Sequence, residues 1–166
     1  HQRGKYVFPI GLTRDNIYAT IESADGYKII VVNVGQNIVV ASLDDKTALV
    51  TTNLSFCKGI GFRLSDEVGL FALAHLNYHP DRTVREFLGF HNVAEVAFSL
   101  PDIGSRRQAI SVLIDALGNP SVSETDYYRG TAGLIITNKG GVTLRQYGAS
   151  LRAIKQWSWT DQTERS

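Results

Sequence analysis

A chain of 166 residues with net charge +1, 43% hydrophobic and 20% charged residues, has the length of one domain and the composition of a packed one, which excludes a disordered segment. Its Lys and Arg are scattered, with no basic stripe interleaved with aromatics, so no general nucleic-acid-binding field is expected. Its single cysteine cannot close an internal disulfide, and no apolar run reaches the roughly 18 residues of a membrane helix.

Asn16 to Ile21 alternates weakly between apolar and polar residues. Ala24-Asp25-Gly26 then supplies a hairpin turn into the β-branched run Tyr27 to Val34. Gly35-Gln36-Asn37 turns the chain into Ile38 to Ser42, and Asp44-Asp45-Lys46 turns it into Thr47 to Thr52. Four successive strands joined by short turns predict antiparallel pairing. Cys57 follows, just before the glycine-bearing stretch Lys58-Gly59-Ile60-Gly61, and the apolar run Val68 to Ala74 ends at His75. Thr83, with Glu86 three residues on, has capping-box spacing for a short helix ending near Gly89. Val93 to Leu100 reads as a strand bounded by Pro101. Ser105 and Gln108 repeat the capping-box spacing for a helix with Ile110, Leu113, Ile114 and Leu117 on its apolar side and Gly118 as its stop. Leu134 to Thr137 pairs with Val142 to Leu144 across a glycine-bearing hairpin loop. The expected fold is α+β: a mostly antiparallel sheet or β-sandwich with two helices packed on it. The chain has no methionine, so His1 is not a translational start, and residues 1–166 are expected to be a single catalytic domain cut from a longer polypeptide.

Cys57 and His75, at the ends of neighbouring strands, are the minimum equipment for thiolate nucleophilic catalysis. Glycines two and four residues after Cys57 would let the backbone approach a ligand, and nearby N–H groups could face an oxyanion. The plainer alternative makes Cys57 a small buried hydrophobe and His75 a satisfied strand-end histidine. A zinc site built from Cys57, His75, His79 and His91 is disfavoured: no HExxH helix is present, and on a strand His75 and His79 would stand about 13 Å apart. No metal and no cofactor is therefore expected. Trp157 and Trp159 suit either an interface or the core, and Tyr127-Tyr128 either a cleft loop or ordinary packing.

The order of these residues resembles the CheD chemoreceptor glutamine deamidases and, more distantly, the catalytic domains of cytotoxic-necrotizing-factor toxins. That family has a threonine on a strand, a nucleophilic cysteine a few residues later, and a glycine- and alanine-rich strand delivering a histidine. Here these correspond to Thr51, Cys57 and Gly69-Leu70-Phe71-Ala72-Leu73-Ala74-His75. The likeness runs over Ile38 to Arg145 and departs at Ser55-Phe56, where the family usually has a glycine-serine pair. It implies a divergent effector or toxin domain acting in the cytoplasm of a target cell, whose partner is a protein carrying the substrate glutamine. Cys57 would be the nucleophile and His75 the base that also lowers the thiol pKa. Thr51 would orient His75, with Thr52 as the substitute one register step away. Target choice would rest on loops such as Asp44 to Lys46 and Pro120 to Gly130. A protease or transglutaminase with the same dyad, and a non-catalytic binding module, remain the alternatives.

Overall fold

β-Branched and aromatic residues recur through most of the chain, and the fold is built on strands accordingly. The computed structural model describes residues 12–13, 28–33, 37–76, 84, 86, 89, 91–148 and 150–160. The expected strand Asn16 to Ile21, the turn at Ala24 to Gly26, and His79 lie outside the described residues.

One sheet contains β1 (Leu12–Thr13), β2 (Lys28–Val31), β4 (Thr47–Leu54), β9 (Ala132–Thr137), β10 (Gly140–Tyr147) and β11 (Ser150–Ser158) in the order β1-β11-β10-β9-β4-β2. The other contains β3 (Asn37–Ser42), β5 (Lys58–Leu64), β6 (Leu70–Leu76), β7 (Val93–Pro101) and β8 (Ser121–Tyr128) in the order β3-β6-β5-β7-β8. Both sheets are mixed: β2 runs parallel to β4 and β7 parallel to β8, and the remaining pairs are antiparallel.

Successive antiparallel pairing of the early strands is overturned. β2 lies parallel to β4, with Val31 opposite Val50, while β3 crosses to the other sheet and pairs with β6. The reason lies in β4, whose residues are buried on both faces and so demand partners on both edges. β9 takes one edge and β2 the other.

The sheets pack face to face through Leu49, Leu54, Leu134 and Ile136 on one side and Phe71, Leu73, Ala97 and Tyr128 on the other. Trp157 and Trp159 belong to this core, their rings edge to face at 5.1 Å, so these aromatics fill the sandwich interior. On the outer face of the second sheet, Ile60, Phe62, Ala72, Val96 and Phe98 cluster with Leu113, Ile110 and Ile114 of the helix α1 (Gly104–Ala116). Its cap differs from expectation. Ile103 is the N-cap and makes no side-chain cap bond, so Ser105 lies inside the first turn. A tight bond from the Ile103 N–H to the Pro101 carbonyl fixes the entry instead. Of the expected first helix only Val84, Glu86 and Gly89 are described, which leaves one helix among the described elements.

The β9–β10 hairpin forms as expected, with Thr137 opposite Gly140. Gly141 next to it is a packing requirement, because a Cβ there would stand 2.6 Å from the Ile135 carbonyl oxygen and collide with the Trp157 ring. Gly141→Ala is expected to cost about 2 kcal/mol or more through overpacking, lowering Tm by roughly 5 °C in a thermal melt.

Candidate active site

Thr51 and Leu54 both face the space between the sheets although three positions separate them. A register irregularity in β4 between Thr51 and Leu54 absorbs the extra residue, and Asn53 takes φ 61° within it. His75, on β6 of the facing sheet, is fully buried. Its Nδ1 lies 2.7 Å from Thr51 Oγ1, and the Thr51 hydroxyl donates to the Val32 carbonyl at 2.8 Å. With that hydroxyl proton committed, Thr51 Oγ1 accepts from Nδ1–H, and Nε2 of the neutral ring carries the lone pair. Nε2 is buried and has no hydrogen-bond partner among the described residues. Desolvation by burial pushes the imidazole pKa below its ordinary 6.5. The ring at neutral pH is thus an uncharged base with a fixed tautomer.

Cys57 is half-buried against the inter-sheet core, in the Ser55–Cys57 turn that joins β4 to β5. Gly59, two residues later, pairs directly with His75. Strand geometry extended back to Cys57 makes this a diagonal relation across the β5–β6 pair, on the order of 7 Å. Phe56 has φ 68°, a left-handed conformation that a bulky side chain rarely adopts, and the residue is 71% exposed beside Cys57. Gly59 and Gly61 lie within β5 and do not form the expected ligand-approach turn. Leu54 fills the space over the first, at 2.7 Å from where a Cβ would sit, and the Ile136 side chain fills the space over the second.

A polar group extends the site along one row of the second sheet, where His75 pairs with Gly59, Gly59 with Ser99, and Ser99 with Asp126. The Ser99 hydroxyl donates to Asp126 at 3.1 Å, and Arg145 of the facing sheet donates to the other Asp126 oxygen at 2.6 Å. The Arg145 guanidinium lies 5.8 Å from the Tyr128 ring centroid. The Tyr128 hydroxyl in turn donates to the Cys57 carbonyl at 2.6 Å. Arg145 carried no signal beyond its place at the end of the expected hairpin strand, and Asp126 was not singled out from sequence, because Pro120 to Gly130 reads as a loop. Most of that segment is strand β8, and Val122, Thr125, Tyr127 and Tyr128 are the strand-forming residues that could have signalled it.

The other residues picked out by sequence lie elsewhere. Asp44 to Lys46 forms a turn at the start of β4, the far end of that strand from Cys57. There Asp44 accepts from the Lys46 N–H and the Thr47 hydroxyl, so this turn does not border the site. His91 pairs with Asp66 at 2.9 Å beside the distal end of β5, remote from Cys57. Among the described residues no three His, Cys, Asp or Glu side chains are grouped as metal ligands. Among them, too, no helix is long and apolar enough to cross a membrane.

No protein-family model and no curated protein sequence matches the chain. Among solved structures, it is similar to the C-terminal domain of CNFy from Yersinia pseudotuberculosis, with 14% identity and a TM-score of 0.39. The likeness is weak. It covers 76% of this chain and 60% of that one, so the chain spans less than two thirds of that structure.

Proposed function

We propose that the chain is a cysteine-dependent amidohydrolase of the glutamine-deamidase type, an effector domain that converts a glutamine side chain of a target protein to glutamate. The observation that carries this is the buried His75, whose Nδ1 is held by Thr51 and whose Nε2 has no partner among the described residues, on the strand that pairs with the residues following Cys57. A buried polar nitrogen left unsatisfied costs about 1–3 kcal/mol, and a catalytic role is one of the explanations for such a group.

In this scheme Nε2 takes the Cys57 thiol proton as sulfur attacks the carboxamide carbon, giving a tetrahedral oxyanion faced by backbone N–H groups of the Ser55–Cys57 turn. The imidazolium returns the proton to nitrogen, the C–N bond breaks and ammonia leaves. Water, deprotonated by Nε2, then attacks the thioester carbon. Glutamate departs, and the proton on the imidazolium goes back to sulfur. Burial favours neutral imidazole, so His75 works as a general base rather than as the cationic half of a preformed ion pair.

The test needs no knowledge of the target. The rate of Cys57 alkylation by iodoacetamide is expected to rise with an apparent pKa below about 8, set by the imidazole that takes the thiol proton, and His75→Ala is expected to abolish that behaviour. A thiol that titrates ordinarily whatever occupies position 75 would remove the catalytic proposal. Release of ammonia with a gain of one mass unit on a target glutamine, without peptide cleavage, separates deamidation from proteolysis.

A further inference from the structure

Phe56 holds a left-handed backbone conformation directly before Cys57, with φ 68°. For a large side chain this conformation is strained, and it persists only where surrounding contacts determine it. Phe56 is 71% exposed, so packing of this residue contributes little to holding the turn. The adjoining peptide is held from elsewhere: the Tyr128 hydroxyl donates to the Cys57 carbonyl at 2.6 Å across 71 residues of sequence. Tyr128 itself is fixed. Its side chain is buried in the inter-sheet core, and its own carbonyl accepts the Asp102 N–H at 2.8 Å. Arg145, held by Asp126, lies over its ring.

We propose that Tyr128 is a positioning residue for Cys57: its hydroxyl clamps the Cys57 carbonyl and holds the strained 55–57 turn in the one conformation that presents the thiol to His75. Without the clamp, Phe56 relaxes toward ordinary extended backbone, and reversing the sign of φ one residue before Cys57 re-aims the sulfur. This inference rests on the proposed catalytic role of Cys57 and His75. It adds a residue whose hydroxyl acts on Cys57 through the backbone carbonyl.

The experiment compares iodoacetamide alkylation of Cys57 against pH in the intact chain and in Tyr128→Phe, Phe56→Gly and the double variant, with thermal melts alongside. Tyr128→Phe keeps the ring and removes only the hydroxyl. It is expected to lower the alkylation rate at pH 7 about tenfold, the loss that about one hydrogen bond's worth of misplacement produces, and to move the apparent pKa toward that of an ordinary thiol. Glycine adopts the left-handed conformation without strain, so Phe56→Gly is expected to recover most of the rate in the Tyr128→Phe background. Loss through general destabilisation would not be rescued in this way, and Tyr128→Phe without rescue by Phe56→Gly overturns the proposal. So does a Tyr128→Phe profile identical to that of the parent chain. In the second case a parent thiol that still loses its perturbed titration on His75→Ala leaves the catalytic dyad standing, whereas a parent thiol insensitive to position 75 overturns the dyad itself.

Discussion

Glu95→Ala is expected to lower the unfolding free energy by about 3–5 kcal/mol, because it leaves the Arg63 guanidinium buried without its partner. Both side chains are almost wholly buried, and Arg63 donates to Glu95 through Nε at 2.8 Å and through a second nitrogen at 2.5 Å. The other carboxylate oxygen accepts from the Ser123 hydroxyl and from the N–H and hydroxyl of Thr160, at 2.7 and 2.8 Å. One carboxylate therefore ties β5, β7, β8 and the chain beyond β11 together. Burial alone would raise its pKa, but the bonds from Ser123, Thr160 and Arg63 outweigh burial and bring it from 4.5 to about 2. Between those values the unfolded chain binds more protons at this site than the folded one, so stability falls as the pH falls. The contribution is present in full above about pH 5 and lost progressively toward pH 2, on the order of 3 kcal/mol. Urea unfolding from pH 7 to 3 is expected to show this slope in the parent chain and to show it reduced in Glu95→Gln. Equal slopes in the two would disprove it. His75 adds an earlier loss. With its pKa depressed by burial, protonation favours the unfolded chain as the pH drops below about 6.5.

The second large effect is expected at Thr51. Thr51→Val preserves shape but deprives His75 Nδ1–H of its acceptor and the Val32 carbonyl of its donor. The imidazole is then free to place its proton on Nε2, where it cannot act as base. Amide turnover is expected to fall about a hundredfold, less than the 10⁴ seen when a buried carboxylate loses the same task, because a hydroxyl orients without adding charge. Thr51→Ser restores the oxygen and is expected to restore most of the rate. Alkylation of Cys57 follows the same order, and a Thr51→Val variant with an unaltered pH profile would separate Thr51 from the chemistry.

The strand placement of Thr51 and His75 and the turn position of Cys57 were legible because each rests on a local signal: strand-forming runs around Thr51 and His75, and a chain with one thiol. Strand parity alone said that only one of Thr51 and Thr52 could face His75, and the hydrogen bond falls on Thr51. What escaped depends on partners distant in sequence. Gly59 and Gly61 look like turn residues locally, yet their need for no side chain comes from Leu54 and Ile136. β2 was expected to pair with its chain neighbour β3, whereas it completes the open edge of β4. β8 carries Ser, Glu, Thr and Asp on a sheet edge just after a proline, a composition that resembles a loop until its partner β7 is known. With it went Asp126 and the strand placement of Tyr128, a residue read as either a cleft loop or packing, whose hydroxyl meets the Cys57 carbonyl.

The contacts that complete the site join residues far apart along the chain: Thr51 to His75 over 24 residues, Cys57 to Tyr128 over 71, and Glu95 to Thr160 over 65. Closing such separations is slow, and all-β sandwiches with contacts of this kind fold in milliseconds to seconds. A chain still emerging from the ribosome, at about 5–20 residues per second, would carry Cys57 for several seconds before Tyr128 exists to seat it. On the proposed reading, the turn that carries the thiol would be seated only late in synthesis.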